Sequence, residues 1–140
     1  MKRLHRNPNA GFTLIEILLV IVIIVSLMTV LLSTVRTSMN EAKINTAIIY
    51  ANRIAQELGR YEMTNGNPPT TAQGLRALVE KPTTEPIPRR WIQIEEKIEL
   101  DPWGQEYHYE FPGKHNKTSF DVYSSGPDRQ LGTDDDIGNW

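Results

Sequence analysis

The chain has 140 residues, no cysteine, and 15 Lys+Arg against 17 Asp+Glu, a net charge of −2. That length allows one domain, or one small domain with an appendage. The absence of cysteine excludes a disulfide framework, a thiol nucleophile and thiolate metal sites. The near-neutral balance gives no reason to expect a nucleic-acid binder.

In chain order the averages separate into parts of different chemistry. Residues 1–11, MKRLHRNPNAG, are a basic leader with Lys2, Arg3 and Arg6 and no acid. Residues 12–32 are apolar at 17 of 21 positions, and Glu16 is their one charge. A helix of that length spans about 30 Å, the thickness of a bilayer's hydrocarbon core. The remaining chain is too short to bury such a helix, so the segment is predicted to cross a membrane. The preceding cations place the N-terminus in the cytoplasm and residues 33–140 on the far side. A cleaved secretory signal would have a shorter apolar region followed by a small-residue site. LLSTVRTSMNEA offers none, and a retained anchor is expected.

No glycine falls between Gly11 and Gly59 and no proline between Pro8 and Pro68. The apolar run therefore passes without a breaker into an amphipathic stretch over 33–63. Ile44, Ala47, Ile48, Ala51, Ile54, Ala55, Leu58 and Tyr61 recur at helical spacing and draw one apolar stripe. A helix from Phe12 to Leu58 would extend roughly 70 Å, half of it in the membrane and half against a small head.

The head is predicted over 64–140. Asn65-Gly66-Asn67-Pro68-Pro69 is a turn cluster that ends the helix. Thr70 and Gln73 form a capping-box pattern opening a short helix, with Leu75, Leu78 and Val79 on its apolar face and Pro82 at its close. WIQIEEKIEL, residues 91–100, fits either a strand or a helical turn. Trp103, in Asp101-Pro102-Trp103-Gly104, is expected in the core. Glu106–Phe111 and Ser119–Tyr123 alternate, are rich in aromatics and read as two strands joined by a turn at Pro112-Gly113. The predicted class is α+β: a long N-terminal helix packed on a small antiparallel sheet.

Two features carry candidate chemistry. A carboxylate at bilayer depth, as at Glu16, costs about 2.5–3.5 kcal/mol on insertion scales. It is explained either by the favourable dipole at a helix N-terminus or by pairing with a cation. The second feature is a loop over 124–137, with Asp128, Asp134, Asp135 and Asp136 punctuated by glycine and bracketed by Tyr123, Ile137 and Trp140. It is either a solvated acidic tail or, since hard oxygen donors suit it, a Ca²⁺ site. His5, His108 and His115 are scattered, and no P-loop, dinucleotide fingerprint or nucleophile elbow is present. No enzymatic activity is expected.

Gly11-Phe12-Thr13-Leu14-Ile15-Glu16, between a basic leader and an apolar run, resembles the N-terminal signal of the type IV pilin superfamily. Pro69 through Val79 (PTTAQGLRALV), Asp101-Pro102-Trp103-Gly104, and Gly126-Pro127-Asp128 through Asn139-Trp140 resemble the major pseudopilins of the type II secretion system. One departure is Ser33, near where relatives usually carry a helix proline.

The resemblance implies cleavage between Gly11 and Phe12 by a prepilin peptidase, N-methylation of Phe12, and a role for Glu16 in assembly through the Phe12 amine of a neighbouring subunit. Loss of three leader cations would leave an acidic mature chain. It further implies a Ca²⁺ site using the Asp128, Asp134 and Asp136 side chains and the Ser125 carbonyl, with Asp135 left open; the ion would stabilise a head that lacks disulfides. The implied function is that of the major subunit of a helical periplasmic filament, working with minor pseudopilins and an inner-membrane assembly platform to drive folded proteins across the outer membrane. Another pilus-like filament is the alternative, although such heads are commonly closed by disulfides. A membrane-tethered Ca²⁺-binding module without a filament is a third.

Overall fold

The structure is a computed structural model and describes residues 12–140. The chain forms two compact units, one ending at Met39 and the other comprising Asn40–Trp140. Helix α1, Leu14–Asn65, is the first element, and its backbone stays helical through Ser33.

In the first unit every residue from Phe12 through Leu32 is exposed. By length and composition this helix can cross a membrane. Three of its hydroxyls are satisfied within the helix. Ser26 donates to the Val22 carbonyl at 2.8 Å, Thr29 to Ser26 at 2.7 Å, and Thr34 to Val30 at 3.1 Å. Such bonding back onto the preceding turn lets a polar side chain sit in lipid without an orphaned donor.

In the second unit the helical stripe becomes the core wall. Ala47, Ala51, Ile54, Leu58 and Tyr61 are buried, whereas Ile44 and Ala55 are half-buried. Ile48, expected in the stripe, is exposed, and Tyr50 on the other flank packs against the core instead. The difference is a rotation of the buried stripe toward Tyr50. The Tyr50 ring meets Tyr107 at 4.8 Å and its hydroxyl accepts from Glu99 N–H at 2.7 Å.

The capping box forms as expected: Thr70 N–H donates to Gln73 Oε1 (3.0 Å) and Gln73 N–H to Thr70 Oγ1 (3.2 Å). The box opens onto a single 3₁₀ turn, Leu75–Leu78, burying Leu75, Ala77 and Leu78. Gln73 is itself buried, and its amide donates to the Thr84 carbonyl at 2.8 Å, tying the loop beyond that turn down.

Residues 91–100 are neither strand nor helix. One carbonyl, Leu78 O, accepts from both Ile94 N–H (2.9 Å) and Glu95 N–H (3.0 Å), while Ile94 and Ile98 pack inward. Trp103 is half-buried and outside the core cluster, contrary to expectation. Asp101 takes the inward position of that turn and accepts from the Trp103 N–H at 3.0 Å, so the indole stays at the rim. Trp91 is the indole that packs on the core, donating to Ala77 O at 2.8 Å.

Three antiparallel strands in the order β1-β2-β3 complete the head: β1 His108–Glu110, β2 Asp121–Ser124 and β3 Ile137–Gly138. Tyr109 pairs with Val122, and both point into the core with Tyr107 and Phe120. Strand β3, only two residues long, was not expected from the sequence. Its pairing, Ser124 with Ile137 and Tyr123 with Gly138, turns the acidic segment into the connection between two paired strands.

Candidate functional site

Two places carry the residues singled out in the sequence. The first is the start of α1. Gly11 lies outside the described residues; Phe12 is described and exposed. Thr13 is the N-cap of α1, its carbonyl accepting from Glu16 N–H and Ile17 N–H. Thr13 N–H and its hydroxyl donate to Glu16 Oε2 at 2.8 and 2.9 Å, and Glu16 N–H returns a bond to Thr13 Oγ1 at 3.3 Å. Thr13-Leu14-Ile15-Glu16 is thus a reciprocal capping box. Within one chain the carboxylate already stabilises the helix end, the simpler of the two explanations for a charge at this depth.

The second place is the β2–β3 connection. Its base is a chain of buried polar contacts. Ser124 Oγ donates to Asp101 Oδ2 and accepts from Gly126 N–H at 3.1 Å. Asp101 Oδ1 accepts from the N–H groups of Trp103 (3.0 Å) and Gln105 (2.7 Å). One buried aspartate thereby fixes both its own turn and the first residues of the acidic loop. Gly126 has φ +66°, and a Cβ there would fall 2.2 Å from the Asp135 backbone oxygen. Only glycine allows the two ends of the loop to approach this closely.

Within the loop the four aspartates are used differently. Asp135 accepts from the Thr133 hydroxyl and, through Oδ2, from Asp128 N–H at 3.2 Å. The Thr133 hydroxyl holds the Asp135 carboxyl below the usual carboxylate range. Asp128 Oδ1 accepts from Gln130 N–H at 2.7 Å, and Asp136 Oδ2 from Gly132 N–H at 2.8 Å. Asp136 Oδ1 is buried with no hydrogen-bond partner. Asp134 is exposed and Ser125 buried. The loop therefore joins Asp128 to Asp135 and folds Asp136 inward, and it does not draw Asp134 to them. Among the described residues no three His, Asp or Glu side chains stand together as a metal site, and no Lys or Arg pairs with these four aspartates.

The tail docks through Trp140, one of the apolar residues that bracket the loop in the sequence, and through Asn139. Asn139 Oδ1 accepts from Val122 N–H at 2.9 Å, its amide donates to Phe120 O at 3.2 Å, and its own N–H donates to Val122 O at 3.2 Å. Asn139 thus extends the β2 ladder past the end of β3. The Trp140 ring lies over Gly138 and meets His115 at 3.8 Å and Tyr123 at 5.8 Å. Nothing local marks Asn139 in the sequence. Asp101 had a signal, since an aspartate before Pro-x-Gly commonly accepts from backbone N–H groups two residues on.

Comparison with known proteins agrees with this architecture. The family model described as "Type II secretion system (T2SS), protein G" matches residues 34–140, and the prokaryotic N-terminal methylation motif matches residues 6–32. The type II secretion system core protein G of Dickeya chrysanthemi is 43% identical over 132 residues, covering 93% of this chain and 85% of that protein. The protein of the same name from Pseudomonas aeruginosa is 41% identical over 142 residues, covering 98% and 99%. The crystal structure of the major pseudopilin from the type 2 secretion system of enterohaemorrhagic Escherichia coli superposes with a TM-score of 0.68 at 38% identity, covering 74% of this chain and 87% of that one. A long helix on a three-stranded head, an N-terminal methylation motif over residues 6–32 and a family-model match over residues 34–140 together establish that this chain belongs to the protein G family of the type II secretion system, the major pseudopilins.

Proposed function

We propose that this chain is the repeating subunit of a helical filament that grows from the bacterial inner membrane and helps drive folded proteins across the outer membrane. The observation that carries the reading is the uncovered apolar length of α1. Side chains from Leu14 through Leu32 are all about half exposed or more, an arrangement tolerable only in lipid or against copies of the same helix. A single helix that can exchange lipid for like neighbours suits both an anchored monomer and a polymer core. Head-to-tail repetition of one contact gives an open helical assembly rather than a closed ring.

In this reading a prepilin peptidase removes residues 1–11 on the cytoplasmic face and methylates Phe12, leaving the anchor in place and the head in the periplasm. The role of the chain is structural, with no reaction of its own. Glu16, capped within its own chain by Thr13, exchanges part of that contact for the Phe12 amine of a neighbour during docking. Minor pseudopilins and an inner-membrane platform are the expected assembly partners. Deleting the chain should abolish export of periplasmic cargo while leaving twitching and adhesion unchanged. Retained export would overturn the reading, and a motility defect alone would favour a different pilus-like filament.

The β2–β3 loop is proposed to hold Ca²⁺. Its donors are hard oxygens, and the buried, partnerless Asp136 Oδ1 is the atom that a cation would satisfy. Asp128, Asp134 and Asp136 would supply carboxylates and Ser125 its carbonyl. Bound Ca²⁺ would supply the positive charge that no side chain provides. The melting midpoint of the head is expected to rise by several degrees in millimolar Ca²⁺ and to return with chelator, since a ligand that binds only the folded state stabilises it by mass action. Equal midpoints under both conditions would rule the ion out as a structural element.

A further inference from the structure

The head carries an amphipathic groove that neither the apolar helix nor the acidic loop uses. It has a volume of about 460 Å³ and lies between the C-terminal end of α1 and the 86–90 segment. Met63 (89% exposed) and Ile87 (45% exposed) give it apolar walls, and Arg89 and Arg90 give it charge. No acidic residue lines it. Both arginines are exposed, and neither forms an ion pair among the described residues. The nearest acid in sequence, Glu85, is occupied, accepting from Ile87 N–H at 3.1 Å.

The same head presents the complementary shape elsewhere. Leu131 stands 52% exposed at the tip of the β2–β3 loop, between Asp128 on one side and Asp134, Asp135 and Asp136 on the other. An isolated exposed leucine is ordinary. An exposed leucine framed in sequence by four acids that form no ion pair among the described residues, on a molecule that also has an apolar groove framed by two arginines without one, is a matched pair. Even with a divalent cation bound, the loop's four aspartates outweigh Arg129 and the ion, so the match in sign persists.

We propose that the Met63–Ile87–Arg89–Arg90 groove receives the Leu131 loop of a second copy of this chain. The contact is heterologous, groove to loop, so each head offers one half to each neighbour and the series does not close. Leu131 enters between Met63 and Ile87 while Asp128 and Asp134, the two exposed aspartates of the loop, face the two guanidinium groups, which can grip carboxylates through paired N–H donors. The contact joins heads, separately from the packing of the apolar helices. This inference rests on the filament reading above.

The chain's lack of cysteine makes the test direct. Full-length Leu131→Cys and Ile87→Cys variants, differently tagged, are co-expressed under filament-forming conditions and oxidised. A disulfide-linked heterodimer is expected. The pair Leu131→Cys with Ile92→Cys, exposed outside the groove, should give none. The double variant Arg89→Glu/Arg90→Glu should lower filament yield at least tenfold with the melting midpoint of the head unchanged. Normal filaments that give no Leu131–Ile87 cross-link, or that form at full yield from the double arginine variant, would overturn the proposal and leave the filament reading standing. A cross-link from Ile87→Cys to a different protein would also overturn it. Failure of the unmodified chain to form filaments would remove the filament reading and this contact with it.

Discussion

Replacing Asp121 with alanine is expected to destabilise the head by about 3 kcal/mol, because buried donors left without an acceptor cost about 1–3 kcal/mol each. Asp121 is only 2% exposed. Its carboxylate accepts from His115 N–H at 2.8 Å and Asn116 N–H at 2.9 Å, and so organises the loop between β1 and β2. Gly113 lies against it so closely that a Cβ there would fall 2.5 Å from Oδ1. Burial by itself would push this carboxyl up, but the backbone N–H groups of His115, Asn116 and Lys114 outweigh burial and hold it below the ordinary aspartate value of 3.8. A group whose folded-state pKa is depressed contributes stability that is present above the unfolded-state value and lost as pH falls through the folded-state value.

The melting midpoint of Asp121→Ala, followed by tryptophan fluorescence of the detergent-solubilised chain, should fall by roughly 10 °C at neutral pH. All three tryptophans, Trp91, Trp103 and Trp140, report on the head. With Asp121→Asn the loss should be smaller, and its gap from the unmodified chain should hold above pH 5 and narrow below 3.8. A gap that stayed constant into acid would mean that the charge on Asp121 is not what the loop requires.

Replacing Glu16 with leucine is expected to abolish filament assembly while leaving membrane insertion intact. Insertion should become easier, because the substitution removes a charge that costs about 2.5–3.5 kcal/mol in the bilayer. Loss of the Thr13–Glu16 cap costs the helix end about 1 kcal/mol, too little to melt a 52-residue helix. A cap by itself would therefore leave assembly nearly normal. Glu16→Gln separates the roles further, since glutamine preserves the capping geometry but carries no charge to offer a neighbour's amine. Electron microscopy of shear fractions, with membrane flotation as the insertion control, reads both variants. Filaments at normal yield from Glu16→Gln would reduce Glu16 to a helix cap.

The long apolar helix was legible residue by residue because its determinant is local. An unbroken apolar run without Gly or Pro has one low-energy form in lipid, a continuous helix. The α1 stripe was legible for the same reason, although Ile48 and Tyr50 exchange burial once Tyr107 is there to stack on. The Thr70–Gln73 box and the β1–β2 pair were also local patterns, fixed by spacing of three and of two.

Contacts made across the chain were not legible in this way. Trp103 was expected inside on the strength of its size. The fold gave that place to Trp91, because Asp101 had to face inward to meet Ser124. Strand β3 is too short to have a period and exists only because β2 offers an edge. Asn139 acts by completing that edge, and Asp121 by gathering amides five and six residues away. The four aspartates were conspicuous from the start, yet composition gave them equal weight. By itself, then, the sequence determined how a near-neutral average charge divides into a basic N-terminal stretch, a long apolar helix and an acidic remainder, since each is set by hydropathy and charge along the chain. Only the tertiary structure decided which polar groups are buried and which aspartate keeps a partnerless oxygen, because burial and hydrogen bonding depend on neighbours that chain order does not name.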